Sequence, residues 1–159
     1  MVMKLKAVIA AVFLLGCNGV SAQDITSCKD PKGYAHFHHK GIVSEGDAGW
    51  RENKITDGLL TLKKLASGKY DILIRDATNS INSFAQDGSQ IILVRKGAND
   101  AAFYVAHSGG AIEIYNFWES ADGNYYYDLL QSKGGNAAPV HVSSVMLGSC
   151  TPIAFNLIN

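Results

Sequence analysis

Apolar and polar side chains alternate in short stretches of this chain, and turns rich in Gly, Asn and Asp separate most of these stretches. At 69–76, for example, Tyr70, Ile72 and Ile74 fall on one face and Asp71 falls on the other, as in a half-buried strand. The turn residues tolerate the positive φ that tight hairpins need. The pattern predicts strands at 34–43, 58–65, 69–76, 90–96, 102–107, 111–118, 125–131 and 140–147.

About eight strands joined by short turns predict a single all-β domain over residues 23–159, built from antiparallel pairs. A set of this size closes into a β-barrel or folds into a β-sandwich, and the sequence leaves both architectures open. In the strand at 111–118 we expect Ile112 and Ile114 to face the core, with Glu113 on the other face.

The first 22 residues have the order of parts of a signal peptide. Lys4 and Lys6 precede an uncharged apolar run at 7–15, and small residues lead to a cleavage site after residue 22. This run is too short to cross a bilayer, which takes about 20 apolar residues, so we expect no transmembrane segment.

A second interpretation of the leader stays open. The Leu-Leu-Gly-Cys sequence that ends at Cys17 resembles the bacterial lipoprotein box, in which residues 1–16 are removed and the cysteine is lipidated. Both interpretations predict a bacterial-type exported protein. It would reside in the periplasm, outside the cell, or on a membrane through lipidated Cys17.

The three cysteines of the chain are Cys17, Cys28 and Cys150. Either form of processing removes or lipidates Cys17, so two cysteines remain in the mature domain. In an oxidising compartment we expect Cys28 and Cys150 to form a disulfide, which leaves no free thiol for catalysis. The alternative is a pair of separate buried thiols.

The charge of the mature domain is nearly balanced. Because Lys4 and Lys6 lie in the leader, 12 basic and 14 acidic residues follow it. No basic residues cluster in the way that nucleic-acid binding requires, so we expect no nucleic-acid partner.

The segment His36-Phe37-His38-His39 is the strongest candidate for metal binding. In a strand, His36 and His38 point to the same side, about 7 Å apart along the chain. This spacing suits two imidazoles on one Zn²⁺ or Cu²⁺ ion, with a further ligand from His107, His141 or Asp47. The alternative is a solvated polar strand face without a cofactor.

Aromatic residues form a second cluster, in a predicted hairpin. Trp118 ends one strand, and Tyr125, Tyr126 and Tyr127 begin the next. Rings on adjacent strands stack as cross-strand pairs, and large exposed rings dominate many binding interfaces. We therefore predict either ordinary core packing or a platform for a protein or glycan of the cell envelope.

These features predict binding of a macromolecular partner, without catalysis, as the function. The alternative is a ligand- or metal-binding protein that uses an interior cavity or the His36/His38 pair. A hydrolase ranks third, since Glu113 and Glu119 are the only carboxylate pair suggested for it, and no Gly-x-Ser-x-Gly or His-Glu-x-x-His motif is present.

Overall fold

The computed structural model describes residues 21–75, 78–136 and 138–159, which form an all-β domain. Residues 1–20 of the predicted signal peptide, with the predicted lipidation site Cys17, lie outside the described residues. The strands in the described part are β1 (Gln23–Gly41), β2 (Gly49–Lys54), β3 (Leu59–Lys64), β4 (Tyr70–Arg75), β5 (Ile81–Ser83), β6 (Gln90–Lys96), β7 (Asp100–Ala106), β8 (Ile112–Glu119), β9 (Tyr125–Lys133) and β10 (Val140–Cys150).

These strands belong to one antiparallel sheet, so the predicted all-β antiparallel fold class is confirmed. Nine of them follow the order β5-β4-β3-β1-β10-β9-β8-β7-β6. The long strand β1 joins the two halves of the sheet. One edge of β1 pairs first with β3 and then with β2, and its other edge pairs with β10.

The sheet curls into a half-barrel. Inside it, the rings of Tyr70 on β4 and Phe103 on β7 meet with their centroids 4.9 Å apart. Strands β5 and β6 remain the two ends of the sheet, and within the described residues no ladder joins them. The chain crosses between them in a turn after Ser83. Asp71 holds this turn, because its carboxylate accepts hydrogen bonds from the Ser83 hydroxyl at 2.7 Å and the Ala85 N–H at 3.0 Å.

The core fills the concave side of the half-barrel. The rings of Tyr115, Phe117 and Tyr127 lie nearly parallel, with centroids 6.1–6.4 Å apart. Leu62 on β3 and Ile72 on β4 are fully buried on the same side. Burial of such side chains drives folding, and aromatic pairs at these distances add to that stabilisation.

Strand β8 faces the opposite way to the prediction. Tyr115 and Phe117 point into the core, whereas Ile112 and Ile114 lie on the outer face, where Ile114 is 38% exposed. Both faces of this strand are largely apolar, so alternation alone does not decide which one is buried. Burying two aromatic rings removes more apolar area from water than burying two isoleucines, and Glu113 enters the interior with them.

A disulfide between Cys28 and Cys150 links β1 to β10. The two cysteines are directly opposite each other in the strand register. Both therefore lie within paired strands, because β1 begins earlier and β10 ends later than the alternation pattern predicts. Cys28 is buried in the core.

The segment after β10 closes one end of the half-barrel. Ile153 and Ile158 are buried in the core. The Tyr70 hydroxyl donates a hydrogen bond to the Asn159 carbonyl oxygen and accepts one from the Asn159 backbone N–H, both at 2.8 Å. The opposite end of the half-barrel, where β7 ends and β8 begins, contains two interior cavities.

Candidate functional site

The two histidines of the predicted metal site lie close together on the outer face of β1. Their ring centroids are 5.0 Å apart, and the ring of His36 also packs against Trp50 at 5.2 Å. His38 Nε2 lies at hydrogen-bond distance, 3.2 Å, from the Ser143 hydroxyl. Among the residues that the structure describes, no group of three or more His, Cys, Asp or Glu comes together to hold a metal ion. The structure therefore adds no third ligand to this pair.

The predicted aromatic hairpin forms, but its rings divide between the two faces of the sheet. Trp118 and Tyr126 are opposite each other on β8 and β9, with ring centroids 5.0 Å apart, and both are half-buried. Tyr127 is only 2% exposed and belongs to the core, and Tyr125 packs against the core. The structure thus separates the Trp118–Tyr126 pair, on one face of the sheet, from Tyr125 and Tyr127, which pack with the core on the other.

A larger apolar surface crosses the outer face of the sheet. Six apolar or aromatic side chains occupy consecutive cross-strand positions on six neighbouring strands, and we call them the outer row: Tyr34, Val145, Leu130, Ile114, Tyr104 and Ile92. Five of the six are exposed large apolar residues. The row extends over five strand spacings, about 24 Å along the curved surface.

A shallow groove runs beside the middle of this row. Trp50, which is 68% exposed, stands at one end, and Ile112 stands at the other. Ser132 and Ser143 lie between them in the strand register, and the groove has a volume of about 300 Å³. We call it the outer groove. The alternation pattern does not predict this groove, because the groove depends on the orientation of β8 and on β2, a strand that the pattern misses.

On the interior side, a buried polar cluster surrounds Glu113, whose side chain is only 7% exposed. The Tyr115 hydroxyl donates a 2.7 Å hydrogen bond to Oε2 of this carboxylate, and the Gln131 amide donates one of 2.5 Å to Oε1. His107 Nε2 lies 3.0 Å from Oε2, an ion-pair distance without hydrogen-bond geometry. These four residues form the Glu113 cluster.

Neighbouring residues fix the ring of His107. Its Nδ1 lies 3.0 Å from the Ser89 hydroxyl, and its ring packs edge-on against Phe84 with centroids 4.7 Å apart. Burial and the adjacent Glu113 carboxylate raise the pKa of the Tyr115 hydroxyl well above its usual value, so this group stays a neutral donor.

Two cavities meet at the Glu113 cluster. An inner cavity of about 340 Å³ lies within the half-barrel, and a second cavity of about 520 Å³, on the same interior side, opens at the mouth of the half-barrel. Phe84, Glu113 and Gln131 line both of them. Cavities of this size, with a few convergent polar groups and mostly apolar walls, are typical of small-molecule sites.

The carboxylate pair suggested for a hydrolase does not form. Glu113 lies near the start of β8 and Glu119 at its end, so the strand separates them by about 20 Å. A glycosidase pair needs a separation below about 10 Å.

Searches against known protein families, curated proteins and solved structures find no match to this chain. Within the described residues, no helix has the length and apolar character needed to cross a membrane.

Proposed function

We propose that this chain is an exported binding protein that holds a protein partner against the outer face of its half-barrel. The observation that carries this proposal is the outer row together with the outer groove. Soluble domains seldom leave a large contiguous apolar surface exposed without a partner, and such surfaces mark interaction sites. Export is part of the proposal, and the disulfide between Cys28 and Cys150 is compatible with it.

The chemistry of the surface favours a protein over a glycan as the partner. The groove is walled mainly by aliphatic side chains, among them Ile114, Leu130 and Val145, and serine hydroxyls are its polar groups on this face of the sheet. Apolar side chains of a protein match aliphatic walls directly, and exposed aromatic rings such as Trp50 are common anchors in protein–protein interfaces.

A charge placed in the outer row tests the proposal. Val145→Lys puts an ammonium group in the row where it borders the outer groove, and Ile81→Lys makes a comparable change at an exposed apolar residue on β5, away from the row. A protein captured from an envelope extract would be identified, purified and titrated against both variants. We expect Val145→Lys to weaken binding at least about 30-fold, equivalent to about 2 kcal/mol, and Ile81→Lys to leave it unchanged.

Other outcomes separate the alternatives. Equal binding by Val145→Lys and the unmodified protein contradicts the proposal. Loss of binding in Trp118→Ala, with Val145→Lys unaffected, would instead move the interface to the Trp118–Tyr126 pair. Mass spectrometry of the mature N-terminus tests export itself: Gln23 at the N-terminus indicates a released domain, and a lipidated Cys17 indicates an anchored one.

A further inference from the structure

We propose that the open end of the half-barrel binds a small organic ammonium ion with an apolar body, and that Glu113 is its counter-ion. This site lies on the interior of the sheet, opposite the outer row, so it does not depend on the proposed protein partner. Three features of the molecule support this site: the charge of the Glu113 cluster, the composition of the inner cavity and the aromatic walls of that cavity.

The carboxylate of Glu113 is buried with its charge incompletely compensated. Its two hydrogen bonds come from neutral donors, Tyr115 and Gln131. A carboxylate has about four acceptor positions, so these bonds leave capacity for a further donor. In the described part of the chain, no lysine or arginine pairs with Glu113. Burying such a charge is costly unless a cation or further donors accompany it.

His107 is the basic group nearest to Glu113, and its contact with the carboxylate is not a hydrogen bond. Its Nε2 is buried and at ion-pair distance, but it makes no hydrogen bond within the described residues. Ser89 and Phe84 hold the other side of the ring. An ammonium group can therefore donate directly to Glu113 without breaking an existing hydrogen bond.

The inner cavity has the composition of an ammonium site. Its lining includes two carboxylates, Glu113 and Asp87, and contains no lysine or arginine. Phe84 and Tyr115 contribute aromatic rings, whose faces attract cations. Aliphatic side chains, for instance Leu129, line the rest and suit an apolar body. In the inner cavity an anion would meet two carboxylates, although Lys133 lines the neighbouring cavity at the mouth, and a neutral alcohol would forgo the charge interaction.

Matched probes test the charge requirement on the mature, disulfide-containing protein. The probes are 2-phenylethylammonium, the neutral 2-phenylethanol and the anionic 3-phenylpropionate, with hexylammonium and hexanol as an aliphatic pair. We expect each ammonium ion to bind at least about tenfold more tightly than its alcohol, the scale of a charge-assisted hydrogen bond. The anion should be the weakest ligand.

Two variants assign the effect to one carboxylate. Glu113→Gln keeps the shape of the side chain and removes its charge, so the preference for ammonium over alcohol should disappear. Glu52→Gln makes the same change at an exposed position on β2 and should preserve the preference. When an ammonium probe is added to the unmodified protein, the largest changes in NMR amide chemical shift should centre on Phe84, Glu113 and Gln131. This measurement does not require Glu113→Gln to fold.

Any of the following results would overturn the proposal: equal affinities for ammonium and alcohol, an unchanged preference in folded Glu113→Gln, or amide shifts that centre on the outer groove. Failure of every probe to bind the unmodified protein at millimolar concentration would also overturn it.

Discussion

The orientation of β8 determines which side chains form the core and which form the outer row, and a pair of alanine substitutions tests it. Phe117 is 0% exposed and packs against Phe103 and Tyr127, with ring centroids 5.9 and 6.1 Å away. Truncating a buried phenylalanine to alanine typically costs about 3–5 kcal/mol, because both the transfer free energy and the packing around the cavity are lost. We therefore expect Phe117→Ala to lower the free energy of unfolding by about 4 kcal/mol.

Ile114→Ala is the matched control on the other face of the same strand. Because Ile114 is 38% exposed and packs only along the sheet surface, we expect a loss of about 1 kcal/mol, mostly from strand propensity and cross-strand contacts.

Urea unfolding followed by circular dichroism gives both free energies, and the melting temperature of Phe117→Ala should fall by roughly 10–20 °C. The orientation suggested by the alternation pattern predicts the reverse ranking. An Ile114→Ala variant that loses as much stability as Phe117→Ala would refute the orientation and, with it, the outer row.

Three further predictions concern stability. The disulfide closes a loop between cysteines 122 positions apart. A Cys28→Ala/Cys150→Ala variant should therefore lose about 2–5 kcal/mol of the free energy of unfolding, measured in urea. A loss below about 1 kcal/mol would show that the pairing of β1 with β10 is stable without the disulfide. Burial and Glu113 raise the pKa of Tyr115 above 10.0. The contribution of Tyr115 to the free energy of unfolding is therefore complete below pH 10 and is lost at higher pH, at up to about 1.4 kcal/mol per pH unit. Tyr115→Phe should make this alkaline decline in stability shallower, and an identical decline would count against the pKa shift. Ile158 is fully buried, so Ile158→Ala should lower the free energy of unfolding by about 2–4 kcal/mol. Asn156→Ala, at an exposed position of the same segment, should change it little. Equal small losses would mean that the C-terminal segment does not close the end of the half-barrel.

Most of the sheet could be predicted from the sequence, because its strands have period-two patterning and are bounded by turn residues. The predicted strand at 90–96 is β6 with the same bounds, Gln90–Lys96. The pattern does not predict two of the strands, β2 and β5. β2 reads Gly-Trp-Arg-Glu-Asn-Lys and has little apolar alternation, and β5 has only three residues, Ile81–Ser83. Both depend on pairing with a neighbouring strand more than on their own pattern.

The candidate sites were harder to predict, since they depend on which strands become neighbours. Leu130 and Val145 are far apart in the chain from Tyr34, yet the register places them side by side. His107 and Glu113 attracted separate hypotheses in the sequence, as a metal ligand and as a hydrolase carboxylate. Only the turn between β7 and β8 and the inward orientation of β8 bring them within 3.0 Å.

The two proposed sites have a common origin in β8 and can still be separated experimentally. Because successive side chains of a strand point to opposite faces, turning Tyr115 and Phe117 inward necessarily places Glu113 inside and Ile114 outside. The half-barrel therefore has a charged group at its interior mouth and an apolar row on its outer face for the same geometric reason. Ligand binding should then depend on Glu113 and not on Val145, and partner binding should show the opposite dependence. A variant of either residue that impaired both activities while remaining folded would mean that the two faces are coupled through the sheet.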